Sequence, residues 1–127
     1  MKNCKLILTT IILMFSIFTQ SFAIGSSELI LKCKALIKTT ENPVKEYVIE
    51  SGQEERVLES LQAQFCLGYI SGFFDNHPKE YCLPSGLNAY QVAKIYIKYV
   101  EENPEIMHKD SNITFPSVMA KHFLCTN

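Results

Sequence analysis

Cysteine number and placement constrain this chain more than any other feature. It carries five cysteines. Cys4 sits in a leader marked for removal, which leaves Cys33, Cys66, Cys82 and Cys125. Lys2 and Lys5 precede an apolar run from Leu6 to Phe18, broken by Thr9, Thr10 and Ser16. Ser21 and Ala23 then flank Phe22 in the small-residue pattern of a cleavage site. This is the signature of a secretory signal peptide, residues 1–23, cut after Ala23. The apolar run is short for a bilayer anchor. Cys4 lies before it and Cys33 too far beyond it for lipid attachment. An even number of cysteines in an exported small domain reads as two disulfides. Metal is the poorer fit, because there is no C-x-x-C, and His122-x-x-Cys125 has no second pair.

Residues 24–127 then form one domain, large enough for one modest core. All 13 acidic residues stay with it, while Lys2 and Lys5 of the 12 basic residues leave. The small negative balance offers no basic patch suited to nucleic acid or to an anionic membrane surface. No second apolar span holds the chain in a membrane after cleavage.

The pattern is helical in four places, so the expected fold is all-α, a small disulfide-stapled bundle of about four helices. The first helix opens at Ser26 or Ser27 as cap and buries Leu29, Ile30, Cys33, Leu36 and Ile37. Thr39, Thr40, Asn42 and Pro43 end it. A connection over 39–52 follows, with Tyr47-Val48-Ile49 apolar enough to pack or to extend briefly. The second helix runs from about Gln53 to Phe74. Its expected inward side is Val57, Leu58, Leu61, Phe65, Gly68, Tyr69 and Gly72. Asp75 caps or ends it. The third opens at Asn88 and runs to about Glu102, with an apolar face wide enough to be central in the core or buried against a second chain. The fourth is expected to start around Phe115-Pro116, where a proline is tolerated. Its apolar side is Val118, Met119, Phe123 and Cys125.

These helices order the cysteines. Consecutive helices with short links pack antiparallel. A hairpin of the third and fourth brings Cys82, before one, to Cys125, at the end of the other. Cys33 and Cys66 then join the first helix to the second. Gly68 and Gly72 lie on one helical face, and the expectation is that another helix backbone packs closely on them.

Catalytic patterns do not emerge. No H-E-x-x-H, nucleophile elbow or phosphate-cradling glycine loop appears. His77, His108 and His122 read as solvated. No cofactor or metal is called for, and the chain reads as a binding protein rather than an enzyme.

Cys66-Leu67-Gly68-Tyr69-Ile70-Ser71-Gly72, then Asp75, then Cys82-Leu83-Pro84, then a helix ending in Asn103-Pro104-Glu105, then a final cysteine, resembles the Tai family. These are immunity proteins against amidase effectors of type VI secretion. The resemblance covers roughly residues 29–125 and rests on order and spacing rather than on one motif. The chain departs from the pattern in lacking a proline before Cys125 and in the interruption of the last helix's pattern by Pro116, which implies a helix that is shorter or begins later. The resemblance implies a periplasmic helical protein, often a homodimer, that blocks the cleft of a cognate peptidoglycan amidase. The alternative is a protein of the same fold that inhibits another envelope hydrolase or acts as a chaperone-like binder. An inhibitor needs a rigid scaffold and a projecting element. Loops 76–81 and 103–112 are the candidates. Loop 103–112 is favoured because Glu105, Met107, His108 and Lys109 offer an apolar anchor amid charges.

Overall fold

The computed structural model describes residues 24–42 and 53–126. The leader, its cleavage after Ala23 and the Tyr47-Val48-Ile49 stretch lie outside these residues. Four helices make the architecture: α1 (Ser26–Glu41), α2 (Gln53–Asn76), α3 (Ala89–Glu102) and α4 (Ser111–Phe123). A 3-10 turn, Pro104–Ile106, lies between the last two. Among the described residues there are no strands, only isolated bridges between Gly25 and Asp110 and between Tyr81 and Leu124. The chain is the all-α, disulfide-stapled bundle that its periodicity and cysteines predict.

α1 packs against α2, α3 and α4. Cys33 and Cys66, both wholly buried, join α1 to α2 with an S–S distance of 2.03 Å. Cys82 and Cys125 form the second bond. There the Cys82 amide donates to the Phe123 carbonyl at 2.8 Å and the Cys125 amide to the Glu80 carbonyl at 3.1 Å. Both expected pairings are present.

α3 packs against α1, α2 and α4. Asn88 caps it through a reciprocal box: Oδ1 accepts from the Gln91 amide at 3.0 Å, and Gln91 Oε1 accepts from the Asn88 amide at 3.1 Å. Val92, Ala93, Tyr96, Ile97 and Val100 are buried. Its wide apolar face is turned into the chain's own core.

Three expectations fail, each for a physical reason. The first is the start of α1. Gly25, not Ser26 or Ser27, is the cap residue, and no side chain caps the helix. The orphan amides of the first turn are satisfied from a distant loop: Ser26 N–H donates to the Lys109 carbonyl at 2.8 Å and Ser27 N–H to that of Met107 at 3.1 Å. Ser26 is buried instead. Its hydroxyl donates to the Lys109 carbonyl at 2.8 Å and lies 2.6 Å from Thr114 Oγ1, which lies 2.9 Å from Tyr96 Oη. These hydroxyls tie α1, α3 and α4 together in the core.

The second is α4, which starts at Ser111, one turn before Phe115-Pro116, and holds Pro116 inside it. Its entry is fixed by the Ser111 amide on the Ile24 carbonyl at 2.9 Å and by the Ile113 and Thr114 amides on the Asp110 carbonyl, both at 3.1 Å. Ser111, Thr114, Phe115 and Val118 are buried on one face. That packing outweighs the proline, which has no amide to offer the Asn112 carbonyl one turn back.

The third is the rotation of α2. Ala63, Cys66 and Ile70 face inward. The side expected to be buried faces out: Val57 is 53% exposed, Leu58 56%, Leu61 62% and Phe65 42%. α2 is apolar on both faces, so hydrophobicity alone does not choose between them. The bond to Cys33 does.

Three measurements follow from this packing. Leu61→Ser changes unfolding stability by less than about 0.5 kcal/mol, whereas Ile70→Ala costs about 2–4 kcal/mol; denaturant titration of the two separates the orientations of α2. Replacing Cys33 and Cys66 together with Ser removes a crosslink spanning 33 residues and lowers stability by about 3–4 kcal/mol. Burial raises the phenols of Tyr69 and Tyr96 above their ordinary value of 10.0, partly offset by hydrogen bonding of Tyr69 with Ser111 and of Tyr96 with Ser26 and Thr114. A folded-state value above the unfolded one gives stability that is present below pH 10 and lost as pH rises through the folded value. In an alkaline absorbance titration these two tyrosines therefore ionise above the ordinary phenol value, together with loss of helical signal.

Candidate functional surface

The favoured loop is stiffer than a solvated connection. Pro104–Ile106 forms a 3-10 turn. The Met107 amide donates to the Pro104 carbonyl at 3.2 Å and the Lys109 amide to that of Ile106 at 3.0 Å. The Met107 and Lys109 carbonyls then cap α1, and the Gly25–Asp110 bridge closes the arrangement. The backbone of this loop is thus committed to the fold. Ile106 is half-buried, whereas Glu105, Met107, His108 and Lys109 are exposed. Four side chains stand on a fixed backbone, and ordering them on contact requires no loop closure.

Loop 76–81 is also tied down. His77 Nδ1 lies 2.8 Å from the Phe73 carbonyl, and its ring stacks on Phe73 at 4.7 Å between centroids. Tyr81 meets Phe73 at 5.2 Å and Phe74 at 5.7 Å. His77 is therefore an aromatic packing residue, half-buried rather than solvated. Asp75 is exposed, and Asn76 ends α2, its side-chain amide donating to the Gly72 carbonyl at 2.6 Å.

Gly68 and Gly72 do not receive a neighbouring helix. A Cβ built on either would meet nothing within 4 Å. With Cys66 turned inward, both glycines rotate to the outer side of α2. They floor an open hollow of about 420 Å³, with Tyr69 and Phe73 beside them and Asn112 and Pro116 of α4 opposite. The hollow lies next to the loop, because Asn112 follows Asp110 by two residues and Tyr69 Oη donates to Ser111 Oγ at 3.3 Å. Beyond it, Phe65, Leu61, Leu58 and Val57 continue the same outer face along α2. The sequence singles out Val57, Leu58, Leu61, Phe65, Gly68 and Gly72 but assigns them to the wrong side, whereas Tyr69 packs against the core as expected.

A second cleft, about 540 Å³, lies between α1 and α3 over Ile37 and Ile97. All four lysines of its lining are paired: Lys34 meets Glu101 at 2.6 Å, Lys94 meets Glu41 at 2.8 Å, Lys98 meets Glu102 at 3.9 Å, and Lys38 meets Glu59. Lys94, then Tyr90, holds the Glu41 carboxyl below its usual range by hydrogen bonding. Exposed pairs of this kind contribute little to stability, and they give the cleft no net sign with which to select a partner. Among the described residues, no group of three or more His, Cys, Asp or Glu is placed to hold a metal. The four cysteines described are all in disulfides, so none of them is a nucleophile.

Comparison with curated proteins and with solved structures returned no match. A sequence model of the Rap1a immunity proteins matches residues 26–125, the span from the first residue of α1 to the last cysteine. The chain belongs to the Rap1a immunity protein family.

Proposed function

We propose that this protein is a periplasmic immunity protein that binds and inhibits a peptidoglycan amidase delivered by type VI secretion. The observation that carries the reading is the family match over residues 26–125, which includes all four bonded cysteines. Disulfides suit an oxidising compartment, and the leader over residues 1–23, cut after Ala23, supplies the route there. The amidase as target follows from the resemblance to the Tai family, and so does pairing of two copies.

The protein acts by occupation rather than by chemistry of its own. Loop 103–112 supplies the contact, with Met107 as apolar anchor and Glu105, His108 and Lys109 around it. The loop backbone is already fixed by α1, so little conformational freedom is lost on binding.

The test is a titration of a type VI amidase on purified peptidoglycan with the disulfide-bonded protein. Cleavage is expected to fall in proportion to added protein and to stop at a fixed molar ratio. Met107→Asp is expected to weaken inhibition about ten-fold or more, as removal of an interface anchor does, with an unchanged melting temperature because the side chain is exposed. Undiminished cleavage at molar excess removes the amidase from the reading.

A further inference from the structure

We infer that the outer face of α2 is a docking surface for the protein partner, and that the partner presents an apolar ridge flanked by lysine or arginine. The inference rests on the reading above only in taking the chain to work by binding another protein.

Val57, Leu58, Leu61 and Phe65 recur at helical spacing on the side of α2 away from its own core, and all four are exposed. Gly68 and Gly72 continue the same line with open space above them. From Val57 to Gly72 the face extends about 22 Å at 1.5 Å per residue. One half protrudes and the other half is hollow. Each glycine weakens the helix relative to alanine, and among the described residues no backbone packs there to compensate. An apolar face of this extent on a soluble helix marks an interaction site.

Charge selects the occupant. Glu54 lines the groove with Val57, Leu58 and Leu61, and Asp75 stands exposed at the other end. Among the described residues neither carboxylate is in a salt bridge, whereas Glu55 lies close enough to Lys38 to favour its charge. The cation that touches the face, Lys32, is held by Glu28 at 3.2 Å and lies 4.8 Å from the Phe65 ring centroid. A second copy laid antiparallel along α2 sets the Glu54 end against Asp75. Laid parallel, it sets Glu54 against Glu54. Both juxtapose like charges, which disfavours that partner. A ridge with basic flanks meets the acidic ends and fills the hollow. The surface is continuous with loop 103–112 through Asn112, so one partner can span both.

The test compares the full chain, expressed for export and purified with its disulfides intact, with Leu61→Asp, with Gly68→Ala/Gly72→Ala, and with Lys98→Ala as a remote control. The probe is the secreted fraction of a strain with an active type VI apparatus. The protein retained by the unaltered chain is identified by mass and followed across all variants. The expected result is retention weakened at least ten-fold by Leu61→Asp and by the double alanine variant, and unchanged by Lys98→Ala. The alanine variant is also expected to melt at a higher temperature, so its loss of binding is not a loss of fold. This outcome supports the inference whether or not the retained protein is an amidase. Equal retention by all variants overturns it and leaves the immunity reading intact. Sedimentation as a dimer by the unaltered chain and as a monomer by Leu61→Asp assigns the face to a second copy and overturns it. No retention by the unaltered chain overturns both readings.

Discussion

The Cys33–Cys66 bond fixes which side of α2 faces inward, and the other features of the surface follow from that rotation. Both sulfurs are wholly buried, so Cys66 has to point at α1. Helical geometry then carries Ala63 and Ile70 inward with it and carries Val57, Leu58, Leu61, Phe65, Gly68 and Gly72 outward. The apolar burial available on the two sides is similar. The bond needs the two Cα atoms close, at 5.0 Å here, which only one of the two orientations allows. The orientation it selects leaves a second apolar face exposed, with Val57, Leu58, Leu61 and Phe65 along it.

A similar economy governs the loop between α3 and α4. Its carbonyls serve as the cap that α1 lacks, because Gly25 has no side chain to offer and Ser26 is drawn into the hydroxyl cluster with Thr114 and Tyr96. Fold and contact surface are therefore not separable there. The backbone of residues 107–110 holds the N-terminal end of α1 in place, while the side chains of the same segment stay exposed. Displacing the backbone would strand the amides of Ser26 and Ser27, at a cost expected for unsatisfied buried donors. The backbone of the loop is thereby held rigid.

Much of this was legible in the sequence. Helix periods gave α1 and α3 nearly as they stand, Asn88 announced its capping box, and the hairpin argument paired the cysteines correctly. The misreadings share one cause: each local signal was real but was outweighed by a contact from elsewhere in the chain. Ser26 has the chemistry of a cap, yet Met107 and Lys109 reach the same amides first. Pro116 has the chemistry of a helix start, yet the Gly25–Asp110 bridge starts the helix a turn earlier and packing of Phe115 and Val118 holds it. The glycines have the chemistry of a close helix contact, yet their direction depends on Cys66. That last conflict was present in the sequence itself. Cys66 cannot bond to α1 while the face through Leu61, Phe65 and Gly72 is also buried, since the two directions diverge around the helix. The candidate loop was legible as a composition of exposed types. Its rigidity was not, because it depends on bonds to residues about eighty positions away.

Hydroxyl-radical footprinting of the disulfide-bonded protein, free and in complex with its partner, tests the central claim most directly. The account predicts strong labelling of Leu58, Leu61 and Phe65 in the free protein, suppressed in the complex, with Ile70 protected in both states. Labelling of Ile70 in place of Leu61, or labelling of Leu61 and Phe65 that is unchanged by the partner, would contradict it.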